Sequence, residues 1–137
     1  MLREILYLNT NMPILKHGLD AQAARHRAIA SNIANVESPG YVPLRVEFEE
    51  QLKLALGEHG ERLTSTDPKH MPLKRDPRMV RHQVVEAPSA ERSSGKNAVN
   101  IDLEMAKLAT NQIHYRTTAR AARELFSKMR SIAKGVR

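Results

Sequence analysis

ASNIANVESPGY, residues 30–41, stands where a long helical pattern stops. Asn32 and Asn35 lie at the end of that pattern, where Asn tolerates left-handed backbone and can replace Gly as a stop. Ser38-Pro39-Gly40-Tyr41 then has the form of a type II turn. Pro presets φ at the second position, and Gly supplies the positive φ needed at the third. Tyr41 returns to apolar surroundings with a hydroxyl to bond. Local chemistry asks for a helix stop and a turn, and this wording is more specific than that task requires.

Upstream, alternate steps of four and three from Met1 pass through Ile5, Leu8, Met12, Leu15, Leu19, Gln22, His26, Ile29 and Ile33, and eight of the ten are apolar. A 3.5-residue period of this kind is a coiled-coil-like seam. Pro13 lacks an N–H and is tolerated only in a first helical turn, so the main helix is predicted to start near Asn11, with Asn11 or Met12 as its cap. Residues 1–9 then form a separate turn, or order only on binding. At the other end the same walk from Ile101 gives Met105, Leu108, Gln112, Tyr115, Ala119, Ala122, Phe126, Met129 and Ala133, nine of ten apolar. Asn100, Asp102 and Glu104 supply a cap and negative charge where the helix dipole favours them, and Gly135 marks the end.

The middle has a different character. VPLRVEF (42–48) alternates apolar and polar residues and is predicted extended. Phe48, Leu52, Ala55 and Leu56 follow helical spacing, and Gly57 closes a short helix. Farther on, MVRHQVVE (79–86) reads as a strand and APSAERSSGKN (87–97) as mobile linker. The expected organisation is an N-terminal helix in 1–36, a turn, short helix and loop-rich middle in 37–98, and a C-terminal helix in 99–137. The fold class is mainly α: long terminal helices pairing as an antiparallel coiled coil, with a short extended, β-hairpin-like and loop-rich middle.

Composition narrows the function. Aromatic residues make up 4% of the chain and Trp is absent, so a large globular core is not expected. The absence of Cys removes disulfides, thiolate metal sites and cysteine nucleophiles. No run approaches eighteen apolar residues, so no membrane insertion is expected, and the first residues lack the pattern of a cleaved signal peptide. His17, His26, His59, His70, His82 and His114 show no metal-ligand spacing, and His26, on the seam, is expected to be packed or hydrogen-bonded. No catalytic residue, cofactor or metal is expected, and the chain does not read as an enzyme.

The net charge of +7 is confined to one segment. Residues 1–104 carry fourteen Lys/Arg and fourteen Asp/Glu, whereas 105–137 carry eight basic groups and only Glu124. Arg116, Arg120, Arg123 and Arg130, with Ser127 and Lys134, form a stripe one position beyond the apolar seam. A basic helical nucleic-acid-binding protein is the alternative reading, since such helices track phosphate backbones. The stripe lacks interleaved aromatics, and no recognised nucleic-acid-binding fold accompanies it. It is expected to meet acidic groups such as Glu47, Glu49, Glu50, Glu58 and Glu61 on adjacent subunits. A lone pair of helices also buries too little apolar surface to offset the entropy of ordering both, so the helices call for further partners.

The quoted phrase resembles the N-terminal signature of flagellar rod and hook proteins, approximately A-N-N-L-A-N-x-x-T-P-G-Y. Asn32, Ala34, Asn35, Pro39, Gly40 and Tyr41 match, while Ser31, Ile33 and Ser38 replace an Asn, the Leu and the Thr. VEFEEQL (46–52), LTSTDPKHMP (63–72) and the stretch from Gly95 to Phe126 are similar to the flagellar basal-body rod protein family, in particular the proximal rod proteins of the FlgB type. Asn100 departs from the Asp common there. The resemblance implies a structural subunit exported by the flagellar type III apparatus without a cleaved signal. It implies assembly on the periplasmic side of the inner membrane, into a helical tube that transmits torque and encloses the export channel. Implied partners are other copies, other rod proteins and the adaptor joining the rod to the MS-ring and export gate, with no nucleic acid. Leu15, Leu19, Ile29, Ile33, Met105, Leu108, Tyr115, Phe126 and Met129 are then expected to pack between subunits. The phrase at 30–41 becomes a fixed corner, since small angular errors accumulate along a helical assembly.

Overall fold

A computed structural model describes residues 10–57, 76–88 and 99–135 of the chain. Helix α1 spans Met12–Ala34 with Pro13 in its first turn and Asn11 at the cap position, as the sequence predicts. The Asn11 side chain makes no capping bond. Instead the Met12 N–H is donated to Thr10 Oγ1 at 3.4 Å. After the turn the chain becomes strand β1 (Leu44–Glu47), then helix α2 (Glu49–Leu56), which ends at Gly57 with φ 76°. A 3-10 turn at Pro77–Met79 is capped by Asp76, whose Oδ1 accepts from the Arg78 N–H at 2.9 Å, and leads into strand β2 (Gln83–Glu86). Helix α3 spans Ile101–Gly135, and Asn100 Oδ1 accepts from the Leu103 N–H at its start.

β1 and β2 pair antiparallel, with Leu44 opposite Glu86 and Glu47 opposite Gln83. The expected hairpin-like element is thus a two-stranded sheet closed across residues 48–82, not by a tight turn. Its inner face and α2 rest on α1. Ala21, Ala24 and Ala28 form the helix side of the core, packed with Val46, Phe48 and Val80, and Leu44, Leu52 and Ala55 close its edges. Spacings of three and four keep these alanines on one face, and their small side chains let the sheet approach closely. Among the described residues the core is small, in keeping with the scarcity of aromatics. The predicted turn at residues 1–9 lies outside the described residues, as does all of the predicted linker beyond Pro88.

α3 packs antiparallel along α1. Asn32 meets Glu104 at one end, and Gln22 meets Asn111 and then Thr118 farther along. The described residues are mainly helical, with one small antiparallel sheet.

Candidate functional site

The quoted phrase builds a hydrogen-bonded corner. Asn35 ends α1 with φ −106°, and no described residue other than glycine has positive φ. The expected left-handed asparagine stop is therefore corrected: both asparagines act through their side chains. Asn35 Nδ2 donates to Ser31 O at 2.9 Å, and the Ser38 N–H is donated to Asn35 O at 3.0 Å. Together these close the last helical carbonyl and anchor the turn. The turn itself is as predicted, with Gly40 at φ 74° and the Tyr41 N–H donated to Ser38 O at 3.3 Å. Pro39 and Ala34 are exposed.

Asn32 is only 2% exposed, and its amide is saturated. Nδ2 donates to Leu44 O at 2.9 Å and to Glu104 Oε2 at 3.0 Å. Oδ1 accepts from the Leu44 N–H at 2.8 Å and from the Tyr41 hydroxyl at 3.0 Å. A side-chain amide has two donors and two acceptor lone pairs, and all four are used. Toward Leu44 it behaves as a neighbouring strand would, pairing both main-chain groups of one residue. A second hydroxyl contact, Tyr41 to Ser31 Oγ at 3.1 Å, holds the ring over the corner. Glu104, itself buried, also accepts from Lys107 Nζ at 2.7 Å. One side chain therefore joins the end of α1, the start of β1 and the first turn of α3.

The helix pair continues this polar character. Asn111 Nδ2 donates to Gln22 O at 2.9 Å, and Gln22 Nε2 donates to Thr118 Oγ1 at 3.0 Å. Glu104, Asn111 and Thr118 are spaced by seven, so they form one polar row facing α1. The apolar walk shares with the inward side the positions of Leu108, Ala122 and Met129, all half-buried, whereas Met105, Gln112, Ala119 and Phe126 lie one residue beyond the register of this row. Met105, Tyr115 and Phe126 are 53%, 45% and 61% exposed. On α1, Ile29 is buried and Leu15, Leu19 and Ile33 are half-buried. His26 is exposed, contrary to its expected packing, because the residues turned to α3 are Gln22 and Asn32. The polar row faces α1 together with the half-buried Leu108, Ala122, Leu125 and Met129, so hydrogen bonds and apolar contacts together set the rotation of α3. The heptad spacing of Glu104, Asn111 and Thr118 was the sequence signal for this row, masked by the richer apolar walk beside it.

Arg116, Arg120, Arg123 and Arg130 are all exposed along α3, with Arg120 paired to Glu124 one turn on at 3.1 Å. Arg25 ties α1 to α2 through the Glu49 carboxylate and reaches Val46 O at 3.4 Å. Burial pushes the Glu49 carboxyl up. The Arg25 hydrogen bond, its own main-chain N–H and the positive charges of Arg25 and His114 outweigh this, and the group titrates below the usual carboxylate range. Among the described residues no cluster of three His, Asp or Glu is arranged to hold a metal ion, and no helix is long and apolar enough to cross a membrane.

Gly40→Val tests the turn. A Cβ at Gly40 would meet nothing within 4 Å, so any cost is conformational. A β-branched residue at positive φ is strained by about 1–3 kcal/mol. The variant is expected to fold with a lowered urea midpoint. A midpoint equal to wild type would show that the corner does not depend on this turn.

A hydrogen-bonded corner, paired terminal helices and a long helix that leaves several apolar residues exposed are features of a structural protein, and the relatives are of that class. Flagellar basal body rod protein FlgB of Proteus mirabilis strain HI4320 is 30% identical over 105 residues, covering 73% of this chain and 76% of that protein. The proteins of the same name from Aeromonas hydrophila and Bacillus subtilis strain 168 are each 25% identical over 123 residues, covering 89% and 88% of this chain and 91% of their own lengths. The chain belongs to the flagellar basal body rod protein FlgB family. No protein-family model matches it.

Proposed function

We propose that this rod protein builds the wall of a helical tube through its terminal helices, transmitting torque and enclosing the export channel. The observation that carries this is the apolar surface that α3 leaves exposed. In the single chain Ile101, Met105, Ile113, Tyr115, Phe126 and Ile132 all stand exposed, although α3 is long and capped at its start by Asn100. Exposed apolar side chains in this number on one helix are surface kept for partners. Leu15, Leu19, Ile29, Ile33, Met105, Leu108, Tyr115, Phe126 and Met129 contribute to packing in this reading. Part of the set closes the helix pair and part meets neighbours, the close pairing of a coiled coil being completed in the tube. Residues 1–36 and 99–137 are the wall, and 37–98 is the corner and the contact layer. The chain has a structural, non-enzymatic role and reaches the periplasmic side of the inner membrane by flagellar type III export. There it joins other copies, other rod proteins and the adaptor at the MS-ring and export gate.

The arginine row serves these protein contacts. An exposed ion pair contributes only about 0–1 kcal/mol, but repeated pairs set register while apolar burial supplies affinity. The Arg120→Glu/Arg123→Glu variant loses the pair with Glu124, which is worth about 0.3–0.5 kcal/mol to the helix. It is expected to keep the central fold while rods fail to assemble and motility is lost. A charge swap on the partner should restore part of both. Salt-sensitive DNA binding by the wild type, lost in the variant while rods still form, would overturn the assignment.

A further inference from the structure

On one flank of the helix pair α1 and α3 enclose a groove of about 390 Å³, lined by Ala23, His26 and Arg27 on α1 and by Gln112, Tyr115 and Arg116 on α3. Neither Arg27 nor Arg116 forms an ion pair among the described residues. The groove thus combines a mostly apolar lining, into which the Gln22 and Asn111 amides also enter, with two guanidinium groups that have no ion pair among the described residues. We infer that it seats helix α2 of a second copy of this chain, an inference that rests on the assembly reading above.

Charge selects the occupant. A neighbour's α3 would set its own basic row against Arg27 and Arg116, and like charges at close range disfavour that contact. α2 offers the opposite charge on one stripe. Glu50 and Leu54 are both exposed, Leu54 by 59%, and lie four residues apart, while the exposed Lys53 is turned about 100° away from Leu54 around the helix. Glu50 also lacks an ion pair among the described residues, in contrast to Glu49, which Arg25 holds. With Leu54 laid between Ala23 and the Tyr115 ring, Glu50 comes within reach of the arginines.

Geometry requires that this α2 come from another copy. Within the chain α2 is fixed to the far flank of α1, where Arg25 holds Glu49 and Leu52 and Ala55 pack on the core cluster. Ala23 and Arg27 each lie two residues from Arg25. Two residues are about 200° around an α-helix. The groove and α2 therefore occupy opposite sides of α1. A contact that joins one side of a copy to the opposite side of the next is heterologous and propagates instead of closing on itself. That is the form of contact a rod requires.

Because the chain has no cysteine, single thiols report the contact directly. Leu54→Cys and Gln112→Cys are placed in separate chains, one lengthened by a tag, and both are supplied to cells in place of the wild type. Both sites are exposed, so neither change disturbs the fold. Oxidation of isolated basal bodies is expected to give a disulfide dimer of mixed mass joining the two variants. In purified concentrated protein, Glu50→Arg is expected to weaken association of copies about tenfold, and Arg116→Glu in the partner to restore part of it. If copies associate at wild-type strength with Glu50→Arg and no mixed disulfide forms, the seat belongs to another segment and this inference fails while the assembly reading stands. A disulfide from Gln112→Cys only to a different rod protein overturns it equally. Copies that associate under no condition, in rods or in solution, overturn both readings.

Discussion

Asn32→Ala is expected to destabilise the chain by about 3–5 kcal/mol, near the upper end for a single substitution. The side chain is the most buried polar group of the corner and makes four hydrogen bonds, none to solvent. Truncation leaves the Leu44 N–H and C=O without their partner in the interior. Each orphaned group costs about 1–3 kcal/mol. Tyr41 and Glu104 lose less, since the hydroxyl keeps Ser31 and the carboxylate keeps Lys107. Urea unfolding followed by circular dichroism reads the loss as a lowered midpoint. Asn32→Asp sharpens the test, because it retains the acceptors, removes the donors and sets a second carboxylate against Glu104. That variant should be worse than Ala at neutral pH and partly recover in acid, where one carboxyl of the pair takes a proton and regains a donor. A midpoint for Asn32→Ala close to wild type would mean that the amide does not hold the corner.

Phe48→Ala is expected to cost a similar amount, about 3–5 kcal/mol, through lost burial and the cavity left behind. Phe48 is 5% exposed and packs in the cluster with Ala21, Ala24 and Ala28, whose methyl groups are too small to fill the space. The chain has one other phenylalanine, and it makes the control. Phe126 is 61% exposed, so Phe126→Ala should change the unfolding midpoint little, within about 0.5 kcal/mol. It should nevertheless reduce rod formation if the outer side of α3 meets neighbours. Equal destabilisation by the two substitutions would contradict the placement of α3, because it would require Phe126 to be buried within the chain.

The sequence made some features plain and hid others for one reason. Pro13 dictates where α1 begins because it cannot donate an N–H, Gly57 closes α2 because the closing residue needs positive φ, and Asn100 caps α3 through its own side chain. These are local constraints, settled within a few residues. The two-stranded sheet was legible only in pieces, since the pairing of Leu44 with Glu86 joins residues separated by α2 and a long connection. The rotation of α3 was misread because two 3.5-residue walks lie side by side on that helix. Counting apolar residues selects the one through Met105 and Phe126. The chain folds on the other, through Glu104, Asn111 and Thr118, which bond to Asn32 and Gln22 on α1 while Leu108, Ala122, Leu125 and Met129 close the same side.

The sequence by itself determined the helices, the turn at Ser38–Tyr41, the small core implied by few aromatics, and membership of the rod family. The tertiary structure alone decided what Asn32 is for. Its partners are Leu44 and Glu104, twelve and seventy-two positions away, and no periodicity reaches that far. It also decided which side of α3 turns to α1, because the amide donors of Asn32, Gln22 and Asn111 reach acceptors across the helix pair, an arrangement that leaves Met105, Tyr115 and Phe126 exposed.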